Sequence, residues 1–79
     1  MALTKNEKIY CANNVAAEMI AILSKKLPQY NQNDWFKILA SSKTYEKLYD
    51  PKTRLWAESP DYVLEIFSKE TGIVIPYED

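Results

Sequence analysis

The sequence predicts a mainly α-helical fold, a small bundle of three to four helices. Apolar residues recur at spacings of three and four through the first 27 residues, and residues typical of helix starts precede two later segments. A single glycine with four prolines is the opposite of a low-complexity composition, so we expect an ordered domain. Because 79 residues can enclose only one core, we expect a single domain over residues 1–79.

The composition restricts where such a domain works. Cys11 is the only cysteine, so no disulfide can form within the chain, and a reducing, cytoplasmic setting is favoured. The longest apolar region, residues 15–23, contains Glu18 and is much shorter than the roughly 20 residues that cross a bilayer. We therefore expect no membrane partner and no targeting segment.

Charge is distributed unevenly, although the net charge is −1. Residues 1–30 contain four basic and two acidic residues, residues 31–56 contain five and three, and residues 57–79 contain one and six. The last third of the chain is therefore acidic. The basic residues form no continuous stripe, and this pattern disfavours nucleic acid as a partner.

A first helix is predicted between Asn6, which suits the N-cap, and Pro28, which ends it. Lys25 and Lys26 lie where cations interact favourably with the helix dipole. The apolar face of this helix comprises Ile9, Ala12, Val15, Ala16, Met19, Ile20, Leu23 and Leu27.

A second helix is predicted to begin near Gln32, with Asn31 as its N-cap and Tyr30 packed on Trp35 as a hydrophobic staple. Its buried side comprises Trp35, Ile38 and Leu39, and Phe36 is a further candidate for that side. The serines at 41 and 42 then interrupt the apolar pattern, which is compatible with a bend or a break. We favour a break, with a short new helix from Ser42 or Lys43.

The next segment has the residues of a turn followed by an extended strand. Asp50 and Pro51 suit the first two positions of a type I turn. Residues 54–58 are then expected to run extended across the helices, with Leu55 facing the core and Trp56 facing outward, or the reverse. A minimal two-stranded ribbon of residues 53–57 with 73–75 is compatible with this pattern.

The last helix has clear end signals. Ser59 suits its N-cap, Pro60 its first position, and Gly72 its left-handed C-terminal stop. The expected centre of the core comprises Val15, Met19, Leu23, Leu39, Leu48, Ile66 and Phe67.

Residues for catalysis are scarce. The chain has no histidine, so Ser-His and Cys-His nucleophilic catalysis are excluded within one chain. A single glycine excludes a glycine-rich phosphate loop. Asp50, Glu58 and Asp61 match no metal loop of known geometry. We therefore predict no enzyme activity, no metal and no cofactor.

Aromatic content is the unusual feature. Ten of the 79 residues are aromatic and six of these are tyrosine, which is more than so small a core can enclose. Tyrosine and tryptophan are typical anchors of protein interfaces. A run of 18 residues contains four of them, and we predict that these form the partner-binding surface: Tyr45, Tyr49, Trp56 and Tyr62. The alternative is that the rings only edge the core.

Residues 42–50 and 53–63 resemble the second half of a group of short bacterial proteins from small operons similar to toxin–antitoxin loci. The resemblance covers about half the chain and rests on Thr44–Tyr45, Leu55–Trp56 and Pro60–Asp61–Tyr62. Arg54 stands where that group would have a turn-favouring glycine. The resemblance implies a binding role and no catalytic residues.

Together these observations favour a non-catalytic protein-interaction module, of the antitoxin-like or accessory kind, that binds another protein or itself. A DNA-binding helix-turn-helix regulator is one alternative, because short helices with tight turns are compatible with that motif. A small enzyme with an unrecognised site is the other.

Overall fold

The computed structural model describes residues 3–76 and contains four helices: α1 (Lys5–Lys26), α2 (Gln32–Ala40), α3 (Lys43–Leu48) and α4 (Pro60–Thr71). Two short 3₁₀ turns, Pro51–Thr53 and Leu55–Ala57, connect α3 to α4. The predicted mainly helical bundle is confirmed. The described part of the chain contains no strand, so residues 53–57 and 73–75 do not form a ribbon there.

A capping box starts α1 two residues earlier than the sequence suggested. The Thr4 amide donates to Glu7 Oε1 at 2.8 Å, and the Glu7 amide donates to Thr4 Oγ1 at 3.1 Å. The N-cap predicted at Asn6 is therefore wrong, because the Thr-x-x-Glu spacing satisfies two free amides at once and places Asn6 inside the first turn.

One face of α1 carries the core, and it packs against α2, α4 and the second 3₁₀ turn. Of the seven residues predicted for the centre, six are buried and Ile66 is half-buried at the edge. Leu64, which was not among those seven, is also buried. The buried apolar residues form one cluster: Ala12, Val15, Ala16, Met19, Leu23, Trp35, Leu39, Leu48, Leu55, Val63, Leu64, Phe67 and Ile75.

Trp35 is the anchor of α2. Its side chain is fully buried, its indole N–H donates to the Leu27 carbonyl at 3.1 Å, and the Tyr30 ring meets it edge-on with 5.3 Å between centroids. The Asn31 side chain accepts from the Asp34 amide at 2.8 Å. The predicted cap and staple are both confirmed, and together they fix where α2 begins.

Ser42 makes the break between α2 and α3, as the sequence indicated. Its hydroxyl donates to the Leu39 carbonyl at 2.6 Å and accepts from the Tyr45 amide at 3.1 Å. The same side chain therefore ends one helix and caps the next. The two helices are separated by only two residues, so α3 can change direction while staying against α2.

The segment after α3 turns where an extended run was predicted. The Asp50–Pro51 turn is present, with the Thr53 amide donating to the Asp50 carbonyl at 3.1 Å. Arg54 then adopts the left-handed conformation, with φ of 60°, and the Leu55 amide donates to Thr53 Oγ1 at 3.2 Å. The left-handed backbone at Arg54 turns the chain, and residues 55–57 then form a 3₁₀ turn. The predicted extended segment at residues 54–58 is therefore wrong.

Ser59 and Gly72 bound α4 as predicted. Ser59 Oγ accepts from the Tyr62 amide at 3.3 Å, and Gly72, with φ of 77°, donates its amide to the Ser68 carbonyl at 2.9 Å. Beyond Gly72 the chain returns to the core without regular structure, and Ile75 is buried there. In the region from residue 3 to residue 76, no helix has the length and apolar character needed to cross a membrane.

Replacing Arg54 tests the strained turn. A side chain in the left-handed region costs about 1–2 kcal/mol, so Arg54→Gly should raise the free energy of unfolding by about 0.5–1 kcal/mol after glycine's greater freedom in the unfolded chain is deducted. Arg54→Ala keeps a Cβ and should bring no such gain. Urea denaturation of the two variants measures the difference, and equal stability would show that the turn is unstrained.

Candidate protein-binding surface

Four aromatic side chains from α2, from α3 with its C-cap, and from the second 3₁₀ turn follow one another along the surface, and we call them the aromatic row: Phe36, Tyr45, Tyr49 and Trp56. Phe36 meets Tyr45 edge-on at 6.4 Å between ring centroids, and Tyr45 lies 4.8 Å from Tyr49. Tyr49 and Trp56 both line a narrow recess beside Pro51. The row is therefore continuous from α2 to the second 3₁₀ turn.

The row lies along one flank of α1. Ile9, Asn13, Ala17 and Ile20 share that flank because they are spaced at four, four and three residues along the helix. Ala17 and Ile20 line an open groove of about 270 Å³ with Phe36, Asn13 accepts a hydrogen bond from the Tyr49 hydroxyl, and Ile9 lines the Trp56 recess. Each end of the row is thus supported by a different turn of the same helix.

The aromatic row is fixed at the edge of the core. Phe36 keeps 49% of its surface exposed, whereas Tyr45, Tyr49 and Trp56 are half-buried and pack against the core cluster. Trp56 donates its indole N–H to the Pro51 carbonyl at 3.2 Å, and the Lys8 ammonium lies 5.5 Å from its ring centroid. These contacts hold Trp56 in place while part of the row stays exposed.

Leu55 is buried and Trp56 is half-exposed, which is the first of the two orientations considered from the sequence. The expected reason was wrong, because the two side chains diverge in a 3₁₀ turn rather than alternate along a strand. Because Trp56 also packs against the core, Trp56→Ala should weaken folding as well as binding. The more exposed Phe36 is therefore the cleaner residue with which to test binding.

Tyr62 stands apart from the other three residues predicted for the surface. It lies in the first turn of α4, 48% exposed, and within residues 3–76 its ring contacts no other aromatic ring. The structure therefore brings together Tyr45, Tyr49 and Trp56 and leaves Tyr62 on a separate face.

Phe36 is the member of the row that the sequence analysis missed, since it was considered for the buried side of α2. The inward positions of that helix are set by Trp35, Ile38 and Leu39, which are spaced at three and four residues. Phe36 follows Trp35 by one residue, about 100° around the helix, so it points past the core. The position of Trp35 was the signal that could have identified it.

Tyr49 is a hydrogen-bond donor at the edge of the core. Burial raises the pKa of its hydroxyl, and the neighbouring Tyr45 hydroxyl raises it further. The Tyr49 phenol is therefore protonated at neutral pH and donates to Asn13. This hydrogen bond ties the C-terminal end of α3 to α1.

Glu70 positions α3, and the sequence analysis had not singled it out. Its carboxylate accepts from the Lys43 amide at 2.8 Å, from the Thr44 amide at 2.8 Å and from the Thr44 hydroxyl at 2.7 Å. The desolvation of partial burial acts to raise the pKa of Glu70, but these hydrogen bonds and the Lys43 charge outweigh it and lower the pKa. An α4 carboxylate thus closes the N-terminus of α3 and orients the helix that carries Tyr45 and Tyr49.

Within the described range 3–76, no group of three or more cysteine, aspartate or glutamate side chains is placed to hold a metal ion. Cys11 is a half-buried free thiol on α1.

Comparison with models of known protein families, with curated proteins and with solved structures found no match to this chain. Its function is therefore inferred from the aromatic row.

The pH dependence of stability tests the Glu70 contact. A carboxylate whose pKa is lowered on folding stabilises the protein above its unfolded pKa of about 4.3, and that stabilisation is lost as the pH falls through the lower folded pKa. The Glu70→Gln variant should be less stable than the parent at pH 7, because a glutamine NH₂ group cannot accept a hydrogen bond from the Lys43 amide. Its stability should also fall less steeply below about pH 4.3, because glutamine does not titrate.

Thermal melting between pH 7 and pH 2.5 measures this slope. Glu65→Gln makes the same chemical change on the exposed side of α4 and serves as the control for lost charge. If both variants followed the same curve, Glu70 would not be the carboxylate that couples pH to folding.

Proposed function

We propose that this protein is a non-catalytic interaction module that binds a partner protein through the aromatic row. The observation that carries the proposal is the row of Phe36, Tyr45, Tyr49 and Trp56 along one flank of α1: the first three rings contact one another in turn, Tyr49 and Trp56 line one recess, and every ring is partly exposed. Tyrosine and tryptophan are over-represented among the residues that dominate binding energy at protein interfaces.

Preorganisation is the physical reason why such a row suits binding. Immobilising a side chain on association costs about 0.5–1.5 kcal/mol, and hydrogen bonds to Asn13 and Pro51 already hold Tyr49 and Trp56. The groove of about 270 Å³ between Phe36 and α1 is large enough to accept an apolar side chain from the partner. A partner would therefore gain contact area at a small entropic cost.

We extend this proposal to a role as an antitoxin-like or accessory subunit in the cytoplasm, for which a binding module of this size is sufficient. Such a subunit needs a rigid surface and no catalytic group, and the chain offers neither a histidine nor a glycine-rich loop. The resemblance of residues 42–63 to proteins of toxin–antitoxin-like operons supports the same role.

The helix-turn-helix alternative is less well supported. α3 is only six residues long, and its first amides, which could otherwise bind a DNA phosphate, donate to the Glu70 carboxylate. A carboxylate at that end also repels phosphate. The geometry therefore favours a protein partner over DNA.

Capture from the native host with two matched variants tests the proposal. Phe36→Ser removes an exposed ring of the row, and Val74→Ser removes an exposed apolar side chain far from the row in sequence and outside every helix. We expect a protein that is enriched by the parent and by Val74→Ser, and enriched at least about tenfold less by Phe36→Ser, the loss typical of an interface anchor.

Quantitative mass spectrometry of the captured material measures the enrichment, and circular dichroism verifies that both variants are folded. Equal capture of the same proteins by folded Phe36→Ser and by the parent would place the binding site elsewhere. Capture of nothing above a tag-only control would contradict a stable partner.

A further inference from the structure

We draw no further inference here: the strongest candidate, the exposed face of α1 that carries Tyr10, Ala17 and Ala21, is a helix surface for which nothing in the structure shows what covers it.

Discussion

The limited volume of the core is the constraint on which the rest of this structure depends. A chain of 79 residues without a disulfide must be stable from one apolar cluster, and Trp35 and Phe67 fill much of it together with the aliphatic face of α1. The core does not enclose every ring, and the four rings of the aromatic row lie at its edge, along the flank of α1 from Ile20 to Ile9. The surface proposed to bind a partner is therefore a direct consequence of how the core is filled.

Hydrogen bonds from Ser42 and Glu70 set the orientation of α3 and of the tyrosine rings of the aromatic row. Ser42 ends α2 and starts α3, and Glu70 of α4 closes the new N-terminus, so α3 lies with Leu48 in the core and Tyr45 and Tyr49 at its edge. These hydrogen bonds contribute about 0.5–1.5 kcal/mol each, and those to a carboxylate contribute more. Their larger effect is orientation, because a helix of six residues is too short to be stable without caps and packing.

The sequence predicted most of the fold because helix ends have local causes. Asn31, Ser59 and Gly72 are each the residue type that their position requires, and the apolar spacing of α1 is long enough to be unambiguous. The predictions that were wrong or missing concern contacts between residues far apart in the chain, an unusual backbone conformation, or a side chain beside the buried face of its helix. The left-handed backbone of Arg54 produces a 3₁₀ turn where a strand was predicted. Glu70 contacts Lys43 and Thr44, which precede it in the chain by 27 and 26 residues. Phe36 was considered for the buried side of α2, although it lies about 100° around the helix from the buried Trp35.

The two tryptophans provide the most direct test of the claim that association occurs at the aromatic row. The indole N–H of Trp35 is buried and bonded to Leu27, whereas that of Trp56 is bonded to Pro51 at the recess. In nitrogen–proton correlation spectra recorded from dilute to concentrated protein, and then with a captured partner added, the Trp56 indole signal should shift while the Trp35 signal stays fixed. A Trp56 signal that stays fixed while the protein associates, or equal shifts of both signals, would contradict this account.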